Sequence, residues 1–177
     1  MIPKFTESGY LPQGCHLCSI DEFKERFVND FKDSESRKSR FDGFIDFIEY
    51  LKLSIKKELS YLINGSFTTN KINPKDIDFV IVFDLSTLDS VEYVFFQNEV
   101  EKQIEKNIKR HEELKKVKNN NMDIGDVYCC DWYPLYKTSP DDPQYELYLE
   151  EKEYWLDLFE DSKEDSENAK GTIRIEL

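Results

Sequence analysis

The chain has 177 residues, 34% of them charged, and a formal net charge of −13. That length supports one domain with a real hydrophobic core, and the acidity argues against a long nucleic-acid footprint, which needs clustered Lys and Arg. No apolar run approaches membrane-spanning length and the N-terminus lacks a signal-peptide core, so the four cysteines fit a reducing cytoplasm and free thiols.

Residues 1–18, MIPKFTESGYLPQGCHLC, read as a loop-like lead punctuated by Pro3, Gly9, Pro12 and Gly14. Ser19-Ile-Asp-Glu22 matches a capping box, with Glu22 placed to reach back to Ser19. Ile20, Phe23, Phe27 and Phe31 follow at helical spacing and predict a first helix to about Phe31. Asp33 to Ser39 is a charged break or a helix restart. Phe41, Phe44, Ile45, Ile48, Leu51 and Ile55 predict a second, longer amphipathic helix, and it leads directly into an apolar stretch.

Residues 59–83, LSYLINGSFTTNKINPKDIDFVIVF, concentrate the chemistry. Leu59 to Ile63 has the look of a buried strand. Asn64-Gly65-Ser66 breaks it with a residue that allows any backbone angle. Phe67 to Ile72 suits a turn of helix, and Asn73-Pro74 is a turn signal. Asp76 to Phe83 is a strand rich in β-branched and aromatic residues. Side chains alternate across a strand, so Asp76 and Asp78 point one way and Ile77 and Phe79 the other. Two neighbouring carboxylates repel unless a cation sits between them. Carboxylates with open water positions suit magnesium, which binds through them and through substrate phosphates. Gly65 lets a phosphate approach the backbone, and amides after Ser66 at a helix start favour an anion. The same residues also fit an Asn-Gly-Ser turn followed by a strand whose acidic start is merely solvated.

Downstream, Asp84 to Ser90 is a polar connection. Phe96, Val100, Ile104, Ile108, His111 and Leu114 predict a long third helix over roughly residues 90–117, with His111 on its apolar seam and a basic end at Lys109, Arg110, Lys115, Lys116 and Lys118. Val127 to Tyr133 is the next strand, ended by Pro134, and its apolar start suggests a central place beside the Asp76 strand. Tyr145, Tyr148, Trp155 and Phe159 suggest a fourth helix. Residues 160–169 read as a solvated acidic loop, and Gly171 to Leu177 as a last strand at a sheet edge. The expected fold class is α/β (α+β): a single domain over residues 1–177, in which helices flank a small mixed sheet carrying strands near 59–64, 76–83, 127–133 and 171–176.

Gly65-Ser66, a short spacer and Asp76-Ile77-Asp78, flanked by apolar strands, resemble the glycine-serine and Asp-x-Asp signature of the nucleotidyltransferase superfamily, closest to its minimal prokaryotic members. Gly9-Tyr10-Leu11-Pro12-x-Gly14, Ser19-x-x-Glu22-Phe23 and Lys170-Gly171-Thr-Ile-Arg-Ile resemble a family of uncharacterised bacterial proteins with a nucleotidyltransferase-like core. The resemblance implies metal-dependent transfer of a nucleoside monophosphate from a nucleoside triphosphate, ATP foremost, to a protein or small-molecule hydroxyl. It implies Mg2+, in a one- or two-ion site, as cofactor, and toxin–antitoxin or phage-defence settings. Asp76 and Asp78 would bind the metal, and Gly65, Ser66 and Lys75 the phosphates. Such enzymes add a third carboxylate from a neighbouring strand. Asp131 is the choice on strand position, ahead of Asp123 and Asp126. The alternative is a non-catalytic interaction protein that keeps the fold and binds a partner.

Weaker signals are Cys15-His16-Leu17-Cys18, whose metal-like spacing Cys129 or Cys130 would have to complete, Lys71, which like Lys75 flanks the loop, and Arg37 and Arg40, which could face the pocket from the second helix. Adjacent strand residues face opposite ways, so only one of Cys129 and Cys130 could join, and free thiols are the expected state.

Overall fold

The protein is described by a computed structural model over residues 1–120, 130–160 and 170–177. Among these residues the elements run β1 (Cys15–Leu17), α1 (Ile20–Lys24), a π-helical turn (Glu25–Asn29), α2 (Arg37–Ser54), β2 (Ser60–Asn64), a 3-10 turn (Gly65–Thr68), β3 (Ile77–Asp84), α3 (Ser90–Asn120), β4 (Cys130–Lys137), α4 (Tyr145–Glu160) and β5 (Thr172–Glu176). Val127, Tyr128, Cys129, Asp123, Asp126, the side chain of His111 and residues 161–169 of the acidic run lie outside the described residues.

The strands form one mixed α/β sheet in the order β1-β5-β2-β3-β4. β2 is antiparallel to β3 and β5, whereas β4 is parallel to β3. A parallel pair needs a crossover, and α3 supplies it. Alternation along the strands divides the core in two. Tyr61, Ile63, Phe79, Ile81 and Ile173 face α1 and α2 with Phe23, Phe44 and Ile48. Leu62, Val80 and Leu135 face α4 with Tyr148 and Phe159.

Local chemistry explains the helix starts. Ser19 accepts from the Glu22 amide at 3.1 Å, and Glu22 accepts from the Ser19 amide at 3.1 Å, which completes the capping box. The first helix does not run regularly to Phe31. After Lys24 it widens, and the Asp30 amide donates to the Glu25 carbonyl five residues back. The wider turn brings both Phe27 and Val28 into the core. In α2 the buried residues Arg37, Arg40, Phe41, Phe44, Ile48 and Leu51 make one stripe.

Three expectations about strands need correction. The lead contains β1, a short edge strand parallel to β5. β5 lies inside the sheet, between β1 and β2, because the lead folds back over it. β4 pairs with β3 as its apolar character suggests, yet it is an edge strand and runs through Pro134 to Lys137. Proline is tolerated in an edge strand where the missing N–H would have faced outward. Among the described residues no helix is long and apolar enough to cross a membrane.

Cys15, Cys18 and Cys130 are free thiols. His16 Nε2 donates to the Pro12 carbonyl at 2.8 Å. Burial, with a smaller contribution from the Glu22 charge, pushes the Cys18 thiol up to about 12. Its thiolate is then roughly one part in ten thousand at pH 8. A thiol reagent at that pH should therefore modify exposed Cys15 within minutes and leave Cys18 untouched until the protein unfolds. Peptide mapping by mass spectrometry checks this, and rapid labelling of Cys18 in folded protein would contradict it.

Candidate functional site

The ends of β2, β3 and β4 place the sequence-predicted carboxylates together. In the sheet register Asn64 stands opposite Asp78, and Asp78 opposite Asp131. One transverse row thus carries three polar side chains on the α4 face of the sheet. Asp76 precedes β3 by one residue and joins them. One carboxylate oxygen from each of Asp76, Asp78 and Asp131 lies within 4.8 Å of the others. Among the described residues no other group of three or more His, Cys, Asp or Glu is placed to hold a metal. Asp131 is buried, whereas Asp76 and Asp78 are half-buried.

Three carboxylates this close repel, and burial strengthens the repulsion. An all-oxygen donor set suits a hard cation, and the half-buried pair leaves room for coordinated water. The residues present therefore fit magnesium.

Gly65 is required by close approach. Its φ is +74°, and a Cβ there would overlap Asp78 Oδ2 and stand 2.8 Å from its Cγ. The Gly65 amide donates to Asn64 Oδ1 at 2.6 Å. Gly65 thus contributes room for Asp78, and its N–H is engaged with protein rather than open to a phosphate. Asn64 itself is buried, and its Nδ2 donates to the Gly171 carbonyl and to Thr172 Oγ1, each at 3.2 Å. This side chain fastens the glycine loop to the last strand.

The two ends of the chain meet here as well. The Gly171 amide donates to the Leu11 carbonyl at 3.0 Å, and the Thr172 amide to the Gly14 carbonyl at 2.9 Å. A Cβ on Gly171 would overlap the Pro12 carbonyl and stand 2.8 Å from His16 Nε2. The Lys170 ammonium then lies over the Tyr10 ring, 5.2 Å from its centroid. The Gly-Tyr-Leu-Pro-x-Gly and Lys-Gly-Thr stretches are therefore the two sides of one joint.

A cavity of about 450 Å³ opens beside the carboxylates, lined by Asn64, Gly65, Ser66, Asp78, Lys170 and an aromatic stretch of α4. Ser66 borders it as the sequence suggests. Lys75 is exposed and does not line it. Lys170 brings the cation instead, and sequence reasoning missed it because it lies far along the chain from the glycine loop. Arg37 does not face this cavity either. It is fully buried and donates to the carbonyls of Phe27, Phe67, Thr69 and Lys71, so it braces the segment that follows the loop. Burial lowers its guanidinium to about 10, which leaves it charged at neutral pH.

The fold and site together define a mixed α/β domain with a carboxylate cluster and a glycine-opened loop at one end of its sheet. The chain belongs to the family of unknown function DUF6932, whose model matches residues 3–176. No curated protein and no solved structure matches it.

Proposed function

We propose that the protein is a metal-dependent nucleotidyltransferase that moves a nucleoside monophosphate from a nucleoside triphosphate to a hydroxyl of a protein or small molecule. The observation that carries this reading is the convergence of Asp76, Asp78 and Asp131 next to a loop whose glycine makes room for one of them. In the reaction the acceptor oxygen bonds to the α-phosphorus, the bond from that phosphorus to the bridging oxygen breaks, and pyrophosphate leaves.

A magnesium ion held by the three carboxylates would supply charge neutralisation at the phosphates. The chain's own groups do the rest. Lys170 and the Ser66 hydroxyl, both on the cavity lining, hold the anionic phosphates. Asp131, opposite Asp78 in the sheet register, helps to activate the acceptor hydroxyl beside the metal. Arg37, through the carbonyls that it fixes, keeps the loop in place.

Two variants test the reading. Asp76→Ala with Asp78→Ala should abolish magnesium-dependent binding of nucleoside triphosphate in calorimetry while the fold persists, because a repelling pair is lost. Asp131→Asn should lower turnover by about 10²- to 10⁴-fold and nucleotide affinity far less. Turnover is followed with labelled ATP and magnesium, with and without cell extract to supply an acceptor. Unchanged magnesium–ATP affinity in the double variant would overturn the assignment.

A further inference from the structure

α4 packs on the sheet through Tyr145, Tyr148, Trp155 and Phe159. Four large apolar residues of α4, Leu147, Leu149, Tyr154 and Leu158, are exposed outside that stripe, and of these Tyr154 and Leu158 border the carboxylate cavity. Tyr154 is 60% exposed and Leu158 42% exposed, and one helical turn separates them. Packing on the sheet does not account for them. Both line the cavity that holds Asp78, Gly65, Ser66 and Lys170. Trp155 stands between them and the sheet. Its ring lies 4.8 Å from the ring of Tyr133 at 37° and 5.4 Å from that of Tyr154 at 70°. Tyr133 is on the same face of β4 as Asp131 and two residues further along. The cavity lining thus combines polar groups and the Lys170 cation with the aromatic side chains of Tyr133, Tyr154, Trp155 and Phe159.

We propose that the Tyr154–Trp155–Leu158 wall binds the base of the nucleotide, and that it selects purines over pyrimidines. The proposal rests on the nucleotidyltransferase reading and adds what that reading leaves open. A nucleotide suits both kinds of lining: it is anionic at one end and a flat ring at the other. A volume of about 450 Å³ lies within the usual range for a site enclosing such a ligand. Aromatic faces hold any base by stacking and read ring area rather than hydrogen-bond pattern. The wall therefore ranks the larger purine rings above pyrimidines and separates adenine from guanine little.

The test measures binding by calorimetry in the presence of magnesium. The probes are the α,β-methylene triphosphates of adenosine, guanosine, cytidine and uridine, together with inorganic tripolyphosphate, which has no base. The proteins are wild type, Tyr154→Ala and Trp155→Ala. Tyr154 is exposed enough to be replaced without harm to the fold. Both purine analogues should bind several-fold more tightly than both pyrimidine analogues. Each variant should weaken the adenosine analogue by about tenfold or more and leave tripolyphosphate unchanged. Tryptophan emission gives a second readout, because the chain has two tryptophans and Trp132 is buried against Phe47 on the other face of the sheet. The adenosine analogue should change the emission of wild type and not that of Trp155→Phe. Tripolyphosphate binding as tightly as the adenosine analogue, or Tyr154→Ala weakening both equally or neither, overturns the wall and leaves the phosphate site standing. Failure of wild type to bind any of the five probes overturns the nucleotide reading itself.

Discussion

Arg37→Met is expected to remove about 4 kcal/mol or more of folding stability, read from urea unfolding. The side chain is fully buried and donates five hydrogen bonds to four carbonyls, at 2.5 to 3.2 Å. Its guanidinium also lies 3.7 Å from the Phe31 ring centroid and 4.9 Å from that of Phe67. Methionine fills similar space and leaves the carbonyls without their donors. Each buried acceptor left so costs roughly 1–3 kcal/mol, and a domain of this size has about 5–15 kcal/mol in all. Arg37→Lys keeps the charge, but its three donors lack the planar fork, and it should recover only part of the loss. A loss below about 1 kcal/mol in Arg37→Met would mean that water replaces the guanidinium, and the bracing role would fall.

Gly65→Ala is expected to eliminate magnesium-dependent nucleotide binding while leaving a folded protein. Alanine at φ +74° costs about 1–2 kcal/mol on backbone grounds. The larger effect is on the site. The new methyl group overlaps the Asp78 carboxylate, which must swing out of the cluster. Removing that carboxylate should then relieve the strain, so Gly65→Ala combined with Asp78→Ala should be more stable than the two single changes add up to, by about 0.5–3 kcal/mol. Four urea midpoints close this cycle. Additive energies, together with wild-type nucleotide affinity in Gly65→Ala, would show that the glycine answers only to the turn.

Much of this arrangement is legible in the sequence because it depends on local signals. The capping box at Ser19, the apolar stripe of α2 and the alternation of Asp76, Ile77, Asp78 and Phe79 each report on a few neighbouring residues, and each reappears in the structure. The family resemblance supplied the expectation of a third carboxylate and strand position pointed to Asp131, while the parallel register that sets it opposite Asp78 is a property of the fold. What escaped was long-range. Pro134 reads as a strand terminator unless the strand is known to be an edge. The place of β5 is decided by the lead folding over it, and nothing within residues 172–176 reports that. Arg37 looks like a surface cation at the start of a helix. Its burial follows from four carbonyls, three of them thirty or more residues away. Lys170 and the α4 wall belong to the cavity only once both chain ends and the last helix are docked. The helical period finds Trp155 and Phe159 but assigns Tyr154 and Leu158 to solvent.

The edges of the sheet constrain how the protein can meet others. β1 is three residues long, and β4 carries Pro134 at its middle. A strand laid against β4 from outside would meet a position with no hydrogen to donate, and one laid against β1 would find too few rungs to register. Growth of the sheet from chain to chain, the route to cross-β polymers, is interrupted at both margins. Among the described residues, neither margin offers a long run of free rungs, so a protein partner is expected to dock through side chains rather than by lengthening the sheet.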